Sequence, residues 1–207
     1  MVFTTYSIMK NLLILLVLFF SSSLISKEYK TIFQFSINIP DNYIGVNEFN
    51  MTDVTEILKS ETNINISEWN SLLEETGIKY AEFFYNINDL EKLNDNLINN
   101  INIVSSNATY YNISKNDLIE FCPEYENYLT TLTNNKVTQL LCKISSNPSI
   151  KGNSIYMEHI GALPGILTMQ YLFWINNTDM IGVTLTCDFN NCSEDEVVFN
   201  NIVSSIK

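Results

Sequence analysis

The sequence predicts an α+β domain built on one mainly antiparallel sheet of about six or seven strands, with helices on both faces. Three observations predict it. Strand-length runs rich in apolar and β-branched residues recur from residue 31 to residue 187. The last of these runs follow one another across short turns bearing Gly, Pro and Asn, which implies antiparallel pairing. Helix-period segments lie between and after the strands, and the late strands carry apolar side chains on both faces, so both faces need cover.

The first strand spans residues 31 to 39, where Phe33, Phe35, Ile37 and Ile39 alternate with Gln34, Ser36 and Asn38. Pro40, Asp41 and Asn42 end it. Two short helices follow, the first marked by Asp53 and Glu56 and carrying Val54, Ile57 and Leu58. The second is marked by Ser67 and Glu68, carries Trp69, Leu72 and Leu73, and stops at Gly77. Ile78 to Tyr85 and Ile101 to Val104 read as strands, joined by a polar, Asn-rich connection around residues 86 to 98.

A longer helix begins at Ser114, with Asp117 three residues on as its capping partner. Leu118, Phe121, Cys122, Tyr125, Leu129 and Leu132 keep helical spacing, and Pro123 is expected to kink or restart it. Four strands come next: Val137 to Ile144, Ser154 to Ile160, Ile166 to Ile175 and Met180 to Cys187. Gly161 to Gly165 and Asn176 to Asp179 supply turn chemistry between the last three. Ser193 and Glu196 form a capping box that opens a closing helix, whose apolar stripe is Val198, Phe199, Ile202, Val203 and Ile206.

Ahead of these elements, Lys10 precedes an apolar run from Leu12 to Phe20 and a small-residue patch from Ser21 to Ser26. A cation, about 10 apolar residues and small residues near a cut describe a secretory signal, since a membrane span needs about 20. Residues 1–26 are therefore expected to be a signal peptide, cut after Ser23 or Ser26, and residues 27–207 a single domain in a periplasmic or extracellular space. After that cut no membrane span is expected to remain. The mature chain would hold ten lysines against 23 acidic residues, a net charge of −13, with no arginine. Such a surface repels phosphates, so nucleic acid is excluded as a partner. The acidity otherwise serves solubility.

Cys122, Cys142, Cys187 and Cys192 all lie in the exported part, where an even count favours disulfides. Three connectivities are open. The pairs Cys122 with Cys142 and Cys187 with Cys192 are favoured, because each joins sequence neighbours across a helix–strand junction. A zinc site made by all four lacks C-x-x-C spacing.

Four segments together resemble the PsbP-like superfamily. They are the strand Phe33 to Ile39 running into Pro40, the isolated strand Asn100 to Val104, the aromatic strand Tyr171 to Trp174, and Val183 to Cys187 followed by Phe199 to Ile206. That superfamily includes the PsbP proteins of photosynthetic membranes, a nuclear transport factor that binds the GTPase Ran, and exported bacterial proteins of unknown role. The resemblance is one of order and spacing, and it covers nearly all of the mature chain. It implies an α/β/α sandwich and members that act mostly as binding or assembly factors. It carries over no functional residue.

His159 is the single histidine and neighbours Glu158. On a strand the pleat sends them to opposite faces, His159 with Ile155 and Met157, so the expectation is a satisfied core or edge histidine rather than a base. Asp188, Glu194, Asp195 and Glu196 offer oxygen ligands for calcium, but without EF-hand spacing. A helix's first turn explains three of them without a metal. The aromatics Tyr80, Phe83, Phe84, Tyr85, Tyr171, Phe173 and Trp174 are expected to fill the layer between sheet and helix. Sequons occur at Asn50, Asn65, Asn107, Asn112, Asn176 and Asn191, in a chain rich in asparagine. With no H-E-x-x-H, G-x-S-x-G or phosphate-cradling loop, the chain reads as an exported binding or assembly factor, not an enzyme, needing no cofactor and taking a protein or a small ligand as partner. A hydrolase working through a carboxylate pair and a membrane-tethered subunit with an uncut signal are the alternatives.

Overall fold

The structure is a computed structural model of the 207-residue chain and describes residues 26–47, 81–86, 99–150 and 152–207. Its elements in order are β1 (Ser26–Lys30), β2 (Ser36–Pro40), β3 (Tyr43–Asn47), β4 (Ala81–Asn86), β5 (Asn100–Asn107), α1 (Asp117–Thr133), β6 (Thr138–Ser145), β7 (Ser154–Ile160), β8 (Ile166–Trp174), β9 (Asp179–Asp188) and α2 (Ser193–Ser205). The expected short helices around residues 53 and 67, the Asn-rich connection, residues 78–80 and nearly all of the expected signal lie outside the described residues.

Seven strands form one antiparallel sheet in the order β3-β4-β5-β9-β8-β7-β6. The single sheet expected from sequence is corrected here, because β1 and β2 pair separately as a two-stranded ribbon. The strand expected over residues 31–39 is shortened for the same reason. Residues 31–35 make the ribbon's turn, where the Thr31 N–H donates to the Phe35 carbonyl at 2.9 Å and Gln34 adopts φ 71°. Alternation along Phe35, Ile37 and Ile39 survives, but β1 (Ser-Lys-Glu-Tyr-Lys) has no apolar pattern to announce it.

The pleat divides the core between two faces. Tyr171 and Phe173 of β8, with Ile101, Ile103 and Val183, pack against α2 through Val198, Phe199 and Ile202, and the ribbon adds Ile37 and Ile39. On the opposite face Ile155, Met157 and Leu172 meet α1 through Leu118, Phe121 and Tyr125. Among the described residues one helix thus covers each side of the sheet, as the two-faced apolar strands require.

The expected Ser114–Asp117 bonds form, but just ahead of α1, whose N-cap is Asn116 rather than Ser114. The Ser114 N–H donates to Asp117 Oδ2 at 2.6 Å, and the Asp117 N–H to Ser114 Oγ at 3.4 Å. Pro123 neither ends the helix nor restarts it, since the helix runs unbroken through it to Thr133. Leu132, expected in the buried stripe, is 65% exposed at the last turn. At α2 the expected Ser193–Glu196 box does not form. Cys192 occupies the N-cap and its carbonyl accepts the Glu196 N–H at 2.9 Å, so Ser193 is already helical. The β7–β8 turn depends on Gly161, at φ 93°, where a Cβ would strike the Lys136 carbonyl.

Candidate functional site

Cys122 lies against Cys142 and Cys187 against Cys192, both pairs at disulfide distance, with Cα separations of 6.3 and 5.4 Å. The first pins α1 to β6; the second ties the end of β9 to the start of α2. Replacing Cys122 and Cys142 together by serine frees a link across 20 residues of sequence. That double variant is expected to lose about 3 kcal/mol, read as a lower urea midpoint, and the shorter pair to contribute less.

His159 and Glu158 do face opposite ways. His159 is 3% exposed, and its ring meets Tyr125 of α1 edge-on at 6.3 Å, whereas Glu158 Oε1 accepts the Tyr156 hydroxyl at 2.8 Å on the α2 side. The expectation of a fully satisfied histidine is corrected: Nδ1 has no hydrogen-bond partner among the described residues, because apolar and aromatic groups of α1 crowd that face. Burial lowers its pKa from 6.5 to about 4. As pH falls through 6.5 the unfolded chain takes up a proton that the folded chain refuses until about 4. Stability therefore drops across that window, by roughly 2–3 kcal/mol, and the loss levels off below it. Urea titrations at both ends of the window should show that His159→Gln loses about 2 kcal/mol less than the parent chain.

The acidic cluster disperses. Asp195 is buried and accepts the Tyr43 hydroxyl at 2.6 Å and the Asn99 amide at 2.7 Å, joining α2 to β3 and to the approach to β5. Asp188 and Glu194 are exposed, and Glu196 turns into a groove described below. Among the described residues no three His, Cys, Asp or Glu side chains group as metal ligands. The described sequons at Asn107, Asn112, Asn176 and Asn191 are all exposed. Asn176 already has work in its turn, where its Oδ1 accepts the N–H groups of Thr178 and Asp179.

What sequence reasoning missed is the surface around β6, one edge of the large sheet. On the α1 side an apolar groove of about 510 Å³ runs between the helix and the strand, lined by Leu118, Ile119, Pro123, Ile144 and the Cys122–Cys142 pair. Lys115 and Lys143 are its charged residues. On the α2 side a polar groove of about 440 Å³ is lined by Ser145, Tyr156, Glu158, Tyr171, Glu196 and Asn200. Its inner wall includes the Tyr171 hydroxyl, which is buried near the Ser154 and Ser145 hydroxyls yet forms no well-shaped hydrogen bond. Lys143 lines both grooves, with its ammonium 4.8 Å from the centre of the Tyr156 ring. Burial is the main cause that raises the phenol pKa of Tyr156 and Tyr171, and the Glu158 carboxylate adds to it at Tyr156, so both stay hydroxyl donors. Period two along β6 is the one sequence signal that groups Lys143 with Ser145. That β6 lies at an edge is written nowhere in it.

Among the described residues, a seven-stranded antiparallel sheet with one helix on each face and grooves along an edge strand makes an α+β domain. More particularly, the fold is PsbP-like. The chain is similar to cyanobacterial PsbP from Synechocystis sp. PCC 6803, with a TM-score of 0.53 at 9% identity over 88% of this chain and 91% of that one. A match to the Ran-binding protein Mog1p of Saccharomyces cerevisiae has a TM-score of 0.47 at 11% identity, covering 89% of this chain and 95% of that one. No protein-family model and no curated protein matches the sequence.

Proposed function

We propose that the protein is an exported binding or assembly factor, without catalysis of its own, that works in a periplasmic or extracellular space. The observation that carries this reading is the pair of grooves meeting at Lys143, which offer shape, hydrogen-bonding groups and a cation for holding a partner. Two cysteine pairs at disulfide distance and the leader-like residues 1–26 support export into an oxidising compartment. A cut after Ser23 leaves β1 whole, whereas a cut after Ser26 removes the residue that pairs with Pro40. Residues 27–207 act as one domain in this reading. Among the described residues no helix is long and apolar enough to cross a membrane.

The test is affinity capture of the full chain from its own host with a mild crosslinker, together with the intact mass of the recovered protein. A reproducible crosslinked partner, a mass lacking the leader and a deficit of about four hydrogens are the expected results. An uncut mass favours the tethered subunit. Turnover on a panel of ester, peptide and glycosidic substrates would overturn the reading in favour of a carboxylate hydrolase. Glu158 and Glu196 of the polar groove are the pair to test in that case, since they line one space.

A further inference from the structure

We propose that the polar groove on the α2 side of β6 binds a free basic amino acid, whose two cationic groups and one carboxylate answer the groove's two carboxylates and one ammonium. This rests on the binding reading above and names the ligand class of one of its grooves. Strand register builds the floor. Lys143 of β6 pairs with Tyr156 of β7, which pairs with Tyr171 of β8, so the three side chains stand in one row on the face toward α2. Ser145 and Ser154 form the next rung on that face. The helix supplies the other wall with Glu196, Asn200 and Val203, which recur at helical spacing. The space of about 440 Å³ between them is large enough for a small metabolite.

The groove's charges gather round one ring without cancelling. The Lys143 ammonium lies 4.8 Å from the centre of the Tyr156 ring, and Glu158 Oε1 accepts the hydroxyl of the same ring at 2.8 Å. After burial and Glu158, Glu196 adds to the rise in the Tyr156 phenol pKa, which places its carboxylate beside that residue too. Among the described residues Lys143 pairs with neither carboxylate, and the Glu196 carboxylate accepts no hydrogen bond. Opposite charges held apart in one groove suit a ligand that carries both signs itself. The count then selects among such ligands. Two carboxylates against one ammonium leave one negative charge that a neutral zwitterion does not answer and a basic side chain does. The net charge of −12 on the chain draws a cation in, and two carboxylates without a third ligand suit an organic cation better than a metal ion.

A second observation lies at the groove's inner wall. Tyr171 is 0% exposed, yet its hydroxyl forms no well-shaped hydrogen bond among the described residues. Buried hydroxyls are seldom left so. The neighbouring Ser145 is half-buried and also lines the groove. With the ligand carboxylate set between Lys143 and Ser145, the Ser145 O–H turns to the ligand and its oxygen accepts the Tyr171 O–H.

The experiment is isothermal titration calorimetry of the oxidised full chain with lysine and arginine. Three controls accompany them: norleucine, which lacks the side-chain cation, cadaverine, which lacks the carboxylate, and glutamate. Lysine or arginine should bind, norleucine and cadaverine about tenfold more weakly or worse, and glutamate not at all. Glu196→Gln should weaken the basic amino acid about tenfold. Lys143→Met, at an exposed position, should leave the urea midpoint unchanged and abolish the preference for lysine over cadaverine. No binding at millimolar lysine and arginine, equal affinity for norleucine or cadaverine, or binding that neither Glu196→Gln nor Lys143→Met alters would each overturn the proposal. Any of these beside a reproducible crosslinked partner from the host defeats the amino-acid site alone. The same result with no crosslinked partner and with substrate turnover defeats the binding reading as well.

Discussion

Replacing Glu82 by alanine is expected to lower the unfolding free energy by roughly 4 kcal/mol. Glu82 sits on β4 at 0% exposure, beneath the β1–β2 ribbon. Its carboxylate accepts the Tyr29 hydroxyl at 2.6 Å, the Asn47 amide at 2.9 Å and the Ile32 N–H at 3.3 Å. Three donors from the ribbon, its turn and β3 thus converge on one buried charge. Truncation removes the acceptor shared by the buried Asn47 amide and the part-buried Tyr29 hydroxyl and Ile32 N–H, and each donor left unsatisfied costs about 1–3 kcal/mol. Glu82→Gln keeps one carbonyl acceptor but turns an NH₂ toward the remaining donors, so about half the loss is expected.

The same variant should act locally before it acts globally. Besides the core contacts of Ile37 and Ile39, hydrogen bonds hold the ribbon on two sides. Tyr29 and Glu82 hold one side, with the Tyr29 ring edge-on to Phe84 at 5.3 Å. On the other side Ser36 exchanges backbone bonds with Lys207 at 3.1 and 3.3 Å, and the Asn38 N–H donates to Ser205 Oγ at 2.8 Å. Hydrogen exchange should therefore show β1 losing protection in Glu82→Ala under conditions where β8 and β9 keep theirs. Equal loss of protection in all strands would mean that the ribbon and sheet open as one unit.

The second large effect is expected at Phe199, where substitution by alanine should cost about 4 kcal/mol in urea unfolding. Phe199 is 0% exposed at the centre of the α2 stripe, and its ring lies 6.3 Å from that of Tyr156. Val198 and Ile202 flank it on the same helix. The cavity left by its ring is walled by the rigid sheet and cannot collapse, which places the cost toward the upper part of the range for such truncations. Because Tyr156 borders the polar groove, Phe199→Ala is also expected to loosen the Lys143 ammonium from its ring. Phe199→Leu, which refills most of the volume, should recover more than half of the loss.

Much of this architecture was legible in the residues. Strand-length apolar runs between turn residues located β7 to the residue and β6, β8 and β9 within one residue at each end. In the α2 stripe Val198, Phe199, Ile202 and Ile206 are buried as their spacing predicts, and Val203 is half-buried. The favoured cysteine pairs lie together, since each joins an element to its chain neighbour. Other expectations failed for stated reasons. β1 has polar residues on both faces because its partner is a single strand, so no alternation marks it. Asp195 looked like a residue answering the helix dipole and is instead a buried acceptor for Tyr43, which lies 152 residues away in the chain.

Local pattern is a property of neighbouring residues, so the sequence alone determined strands β6 to β9, helices α1 and α2, the two-faced core and the acidic, arginine-free composition. Which strand lies at an edge, and which polar groups converge from distant segments, depends on how those strands are ordered in space. Only the tertiary structure decided that β6 is, among the described residues, an edge strand between two grooves, and that Glu82 fastens a separate ribbon to the sheet. Hydrogen bonds and grooves of this kind form between residues far apart in the chain, and no periodicity within a segment encodes them.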